Sequence, residues 1–305
     1  NGDVFLSMID DDKYIANNPR KVVQLPERIN NLSNIKMIDC GIDHVCCINY
    51  IGDVFTFGNN FSYQLGNNTT ENSLIPQKME NIPLIKFISC GYFFNLCLTF
   101  DGKLYINGQL GGSIYPMKDD TYKTPTLIHS SGEIDFISCG GFNVIYRNKS
   151  SKFYVWGLNL HGSLGISENK KIIDRPIECL DWPNNIVDIK PTRKYTLLLT
   201  ADGCVYIMGI MYYKTVGISY AYKHQSPFKI KNLPYIKQIH CTEYIFILID
   251  ENNNKWVYEY NIINVHKPRI NILLNKNVID MQLKGTNIAI KEDNNIILKI
   301  LPINI

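Results

Sequence analysis

Histidine and cysteine are the residue types through which this chain could hold a metal or attack a substrate, and their spacing supports neither. The six histidines, at 44, 129, 161, 224, 240 and 266, are scattered without metal-ligand spacing, and no H-E-x-x-H occurs. None of the nine cysteines forms a C-x-x-C pair. There is no Walker-type glycine loop and no G-x-S-x-G nucleophile elbow. Gly108-Gln109-Leu110-Gly111-Gly112 follows a strand-like run, but it falls where a repeated loop belongs rather than a phosphate cradle. The expectation is a chain with no catalytic residues, no cofactor and no metal. If it regulates an enzyme, it does so without covalent chemistry of its own.

The cysteines point instead to repetition. Cys40, Cys90, Cys139 and Cys241 recur at intervals of 50, 49 and 102 residues, the last being two units. A cysteine at one phase of a repeat is a small apolar side chain for a core, and a ring of repeats keeps such residues apart. Nine cysteines are an odd number for a disulfide framework. Reduced thiols are therefore expected, in an intracellular reducing compartment, with nucleus or cytoplasm favoured over an organelle.

Two half-motifs alternate along the chain and must build the elements. One is Gly-x-(Val/Leu/Phe)-(Tyr/Phe)-x-x-Gly, starting at Gly2, Gly52, Gly102, Ser151, Gly203, and more weakly Asn254 and Asn295. The other is Ile-x-x-Ile-x-Cys-Gly followed by an apolar run, at 35–49, 85–99 and 134–146, and degraded at 186–199, 236–249 and 278–290. Both read as strands, being short, β-branched or aromatic, and bounded by glycine. Asp101-Gly102 and Asp202-Gly203 are hairpin turn pairs. Gly66, Gly165 and Gly217 suit positive φ in a tight loop. Prolines at 76, 125, 176, 227 and 268 share one phase and belong on edge strands, because proline offers no ladder donor. Asp10-Asp11-Asp12 reads as an exposed loop.

Each unit of about fifty residues thus supplies four short antiparallel strands. A lone four-stranded sheet cannot bury both faces, and copies packed around an axis can. The fold class is all-β, a β-propeller occupying residues 1–305 as one domain. Charged residues make up 19% of the chain and the net charge is +3, too mild for a nucleic-acid footprint. No run of eighteen apolar residues occurs, so no membrane insertion is expected. The sequence opens at Asn1 inside a strand-like pattern, which suggests a processed product or a piece of a longer chain.

Trp156-Gly-Leu-Asn-Leu-His-Gly-Ser-Leu-Gly165 and Cys40-Gly-Ile-Asp-His44 make the pattern specific. They resemble the repeats of the regulator of chromosome condensation family, G-x-V-Y-x-W-G-x-N-x-x-G-Q-L-G followed by C-G-x-x-H-T. The resemblance covers essentially the whole chain and weakens after about 250. It implies a propeller of four-stranded blades, seven favoured over a closed ring of six, with incomplete or shared terminal blades.

By the same resemblance, partners meet the loop between Cys-Gly and the next strand. Those loops hold Asp43 and His44, Tyr92 and Phe93, Phe142, Arg193 and Lys194, and Glu243 and Tyr244. Aromatic and arginine residues there have the composition of binding hot spots. His44 has a second reading, as a hydrogen bond inside the blade, and Phe94 and Tyr195 are expected to pack inward. The leading expectation is a non-enzymatic protein-binding scaffold or adaptor. One alternative is a guanine-nucleotide exchange factor for a Ran-like small GTPase. The other is a structural subunit of a ribonucleoprotein or organellar assembly, meeting nucleic acid only there. Exchange factors of the family carry an inserted wedge hairpin, for which repeat lengths of 49 to 52 leave no room.

Overall fold

The structure, a computed structural model, describes residues 4–6, 27–29, 31–111, 121–166, 170–215, 218–243, 245–259, 278–284, 287–292 and 295–300. Pro268 and Asp10 to Asp12 lie outside these residues.

A short ladder of β1 (Phe5–Leu6) and β2 (Glu27–Arg28) comes first. Blade 1 follows, with β3 (Ile35–Cys40), β4 (His44–Asn49), β5 (Val54–Gly58) and β6 (Ser73–Lys78). Blade 2 holds β7 (Ile85–Cys90), β8 (Phe94–Thr99), β9 (Leu104–Gln109) and β10 (Thr121–His129). Blade 3 holds β11 (Ile134–Cys139), β12 (Asn143–Asn148), β13 (Phe153–Leu158) and β14 (Ile172–Glu178). In blade 4, β15 (Ile186–Pro191) and β16 (Tyr195–Thr200) precede β17 (Val205–Thr215) and β18 (Ile218–Lys229). Blade 5 shows three strands, β19 (Ile236–Cys241), β20 (Ile245–Asp250) and β21 (Lys255–Glu259). A further three-stranded sheet joins β22 (Val278–Lys284), β23 (Asn287–Glu292) and β24 (Asn295–Ile300).

Pairing within each blade is antiparallel and sequential, so every blade is a meander. The first strands, β3, β7, β11, β15 and β19, are neighbours in turn and line the axis. Pro76, Pro125, Pro176 and Pro227 all sit on the outermost strands, where no ladder donor is needed. Gly102 and Gly203, in the hairpin turns, take φ of 81° and 74°. Gly66 and Gly165 are also left-handed, at 70° and 59°, while Gly217 lies outside the described residues.

The cores lie between blades. The second strands β8 and β16 are buried along their whole length on both faces. Leu96, Leu98 and Leu104 of blade 2 join Ile134 and Ile137 of blade 3 in one cluster, which continues to Met208 of blade 4. Leu197 and Val205 of blade 4 close on Ile239 and Leu248 of blade 5. Each such side chain contributes about 1.5–3 kcal/mol when removed from water. Adhesion between neighbours therefore holds the arc.

Two expectations need correction. The described residues form five blades, not the expected seven or six. Among the described residues, the Gly2 copy of the repeat supplies a strand of the β1–β2 ladder and the Asn295 copy the third strand of the last sheet, neither of them a blade. Counting half-motifs therefore overcounted blades. Nor are all four recurrent cysteines core-filling. Cys90 is buried, but Cys40, Cys139 and Cys241 are half-buried at the ends of the innermost strands.

Candidate partner-binding end

Each first strand delivers its chain to the same end of the propeller, where a short loop leads into the second strand. The glycine of Cys-Gly is required there by crowding. A Cβ on Gly41 would lie 2.1 Å from the His44 ring, one on Gly91 1.9 Å from Phe94, and one on Gly140 2.3 Å from Asn143 Oδ1. The side chain three residues on folds back over the glycine. Blade 4 solves the turn differently, with Thr192 in the glycine position and its Oγ1 donating to the Tyr195 carbonyl.

These inward side chains reach across the seams. His44 Nε2 pairs with Asn95 Oδ1 of blade 2 at 2.8 Å. Asn143 Nδ2 donates to the Thr192 carbonyl of blade 4 at 3.1 Å. Tyr195 donates its hydroxyl proton to the Thr242 carbonyl of blade 5. The loops are also tied to one another. Ile42 N donates to Tyr92 O at 3.3 Å, Tyr92 N to Gly141 O at 2.8 Å, and Arg193 N to Glu243 Oε1 at 2.8 Å. The loop end is thus a continuous arc of hydrogen bonds across all five blades.

The third strands close over it. Gly58, Gly108, Gly157 and Gly209 have φ between 96° and 109°, and a Cβ on any of them would fall 2.2–2.4 Å from a carbonyl oxygen of Asp43, Phe93, Phe142 or Lys194. Only glycine allows that backbone crossing.

The sequence-selected residues fall on this end. Asp43 is exposed; Tyr92 and Phe93 are half-buried. Their rings cluster with Phe142, Tyr92 edge-on with centroids 5.0 Å apart and Phe93 tilted at 5.9 Å. Phe142 itself is buried, as are His44, Phe94 and Tyr195, so these four support the loops from beneath. Arg193, Lys194 and Glu243 are half-buried side by side across the seam of blades 4 and 5. Arg193 Nε and Glu243 Oε2 are buried with no hydrogen-bond partner. Burial holds Lys194 below the usual lysine range, against the opposing pull of Glu243. Tyr244 lies outside the described residues. No group of three potential metal ligands converges among the described residues.

Sequence reasoning missed one element. Beyond Gly209 the strands of blade 4 continue as a two-stranded ribbon, paired from Ile210↔Lys223 to Thr215↔Ile218. Ile210 N donates to Lys194 O at 3.0 Å, so the ribbon leaves from the loop end. The expectation that no hairpin fits is therefore corrected. The ribbon is made from residues that form a loop in blade 1, so it adds no length to the repeat. Two aromatic runs flanking Val216-Gly217 were the available signal.

The comparisons define the class. Residues 52–98 match the regulator of chromosome condensation (RCC1) repeat. With the blades above, the chain is a β-propeller in which one stretch, residues 52–98, matches an RCC1 repeat. It is 26% identical over 138 residues to the guanine nucleotide exchange factor SRM1 of Saccharomyces cerevisiae, a match spanning 39% of this chain but only 28% of that protein. Yeast RCC1 (Prp20), in its crystal structure with Kap60, superposes with a TM-score of 0.71 at 18% identity, covering 85% of this chain and 68% of that one. Prp20p of Saccharomyces cerevisiae, in a structure whose description concerns binding to Gsp1p and histones, gives 0.62 at 19% identity, covering 74% of this chain and 58% of that one. No described helix is long and apolar enough to cross a membrane.

Proposed function

We propose that this chain is a protein-binding propeller whose loop end engages a Ran-like small GTPase and accelerates loss of its nucleotide. The observation that carries the reading is the junction of blades 4 and 5. There Arg193 Nε and Glu243 Oε2 are a buried donor and a buried acceptor left unpaired. Such atoms cost roughly 1–3 kcal/mol each until a partner satisfies them. An exchange factor works by competing for the phosphate loop and switch regions of the GTPase. The exposed carboxylate of Asp43 and the Glu243 carboxylate are the groups suited to that competition. The likeness to SRM1, named as an exchange factor, supports the partner class, and the ribbon removes the objection raised by repeat length. No cofactor is needed, and cysteines that form no disulfide suit a reducing compartment.

Release of a fluorescent guanine nucleotide from a panel of small GTPases tests this reading. Acceleration that falls in Arg193→Ala and Glu243→Ala supports it; no acceleration at any protein concentration overturns it.

A second reading, a scaffold without exchange activity, is favoured by the half-buried Tyr92 and Phe93 at the same end. Affinity purification with both changed to alanine tests it. Retention of every partner would remove the aromatic cluster from the interface.

A further inference from the structure

The ribbon of blade 4 differs in chemistry from the loop end it leaves. The forty residues from Gly203 to Thr242 contain five lysines and six tyrosines, and no aspartate or glutamate. They carry more positive charge than the net +3 of the entire chain, so the mild overall balance conceals a local excess. The ladder register distributes these residues. Met211↔Tyr222, Tyr213↔Tyr220 and Thr215↔Ile218 share one face of the ribbon. Ile210↔Lys223, Tyr212↔Ala221 and Lys214↔Ser219 share the other. Tyr213 and Tyr220 are thus direct cross-strand neighbours, with Tyr222 one diagonal step away. On the opposite face Tyr212 falls between Lys214 and Lys223. His224, paired with Gly209, stands at the root.

We propose that this ribbon binds single-stranded nucleic acid, with bases stacked on the face of Tyr213, Tyr220 and Tyr222 and the phosphate backbone, passing round the edge of the ribbon, met by Lys214 and Lys223 of the other face. An aromatic face with cations on the reverse of the same narrow ribbon, and no carboxylate between Gly203 and Thr242 to repel the backbone, suits such a strand. Residues two apart on a strand are about 6.6 Å apart, a spacing that suits successive splayed bases. The GTPase reading draws on the presence of the ribbon but rests on Arg193 and Glu243, and this assignment uses neither, so the two fail separately.

The test is fluorescence anisotropy of the full chain with a labelled oligouridine, an oligothymidine of equal length and a duplex, titrated across salt concentrations. Both single strands are expected to bind more tightly than the duplex, with affinity falling as salt rises. Tighter binding of oligouridine assigns RNA; equal binding assigns single strands of either sugar. Tyr213→Ala with Tyr220→Ala should weaken binding at least about tenfold. Lys214→Gln with Lys223→Gln should reduce the slope of log affinity against log salt by about 1.4. The thermal midpoint should stay unchanged in both pairs, since the ribbon lies beyond the blade. Absence of binding at low salt overturns the proposal, as does binding unaffected by either pair. Ribbon-dependent self-association or nucleotide exchange without nucleic-acid binding would assign the ribbon to a protein partner and overturn it too.

Discussion

His44 Nε2 meets Asn95 Oδ1 at 2.8 Å across the seam of blades 1 and 2, with both side chains buried. Asn95 passes the contact on, its amide donating to the Gln64 carbonyl at 2.7 Å. The histidine therefore joins the second strand of one blade to the loop of the Gln-Leu-Gly segment through the next blade. His44→Ala removes a ring and orphans a buried acceptor. It should destabilise the fold by about 2–4 kcal/mol in urea denaturation. Nucleotide exchange measured well below the unfolding transition should not change. A selective loss of exchange would instead make His44 a partner contact.

Gly91 should be intolerant of any side chain. A Cβ would lie 1.9 Å from the Phe94 ring, and that ring is fully enclosed. Gly91→Ala must displace a buried phenyl group, and a loss of about 1–3 kcal/mol is expected. The double variant Gly91→Ala with Phe94→Leu should recover part of that loss. Calorimetric midpoints of the two variants check the coupling.

The blades were legible because three short-range signals recur in phase, though not all in every unit. Val54-Phe55-Thr56-Phe57 between Gly52 and Gly58 can only be a short strand, Pro76 marks the edge, and Asp101-Gly102 turns the chain. The cross-blade role of the position held by His44, Asn143 and Tyr195 was not legible. It depends on which acceptor lies opposite about fifty residues later, the Asn95 side-chain oxygen for His44 and the Thr192 and Thr242 carbonyls for Asn143 and Tyr195, and three different residue types fill it. The blade count failed for a related reason. A half-motif records one strand, whereas a blade requires four that find each other. The ribbon was missed because spacing measures length, and the residues of a loop can pair without any insertion.

Alkaline pH should weaken the fold through its buried thiols. Burial, helped by nearby Cys40 and Cys90, pushes the Cys47 thiol from an ordinary value near 9 up to about 12. Cys97 is pushed up by burial as well. Above pH 9 the unfolded chain releases these protons while the native chain keeps them. The unfolded state then binds fewer protons, so stability falls as pH rises. Each such thiol contributes a slope of about 1.4 kcal/mol per pH unit. Urea midpoints between pH 8.5 and roughly 10.5 should fall less steeply in Cys47→Ala than in the parent. Parallel slopes would show that Cys47 does not titrate in this range.

Glu243 can separate charge from architecture at the loop end. Its Oε1 accepts the Arg193 amide at 2.8 Å, while Oε2 has no partner. Glu243→Gln keeps an oxygen for the Arg193 amide and removes the charge. Glu243→Ala removes both. If the free oxygen serves a cationic or phosphate-loop group of a GTPase, exchange should fall in Glu243→Gln by about tenfold or more with the thermal midpoint unchanged, the loss of one charge-assisted bond. Glu243→Ala should lose as much activity and also about 1 kcal/mol of stability, because the Arg193 amide is left open. Full activity in Glu243→Gln with reduced activity in Glu243→Ala would make the residue a loop tie alone, and would move the GTPase contact to Asp43 and the aromatic cluster.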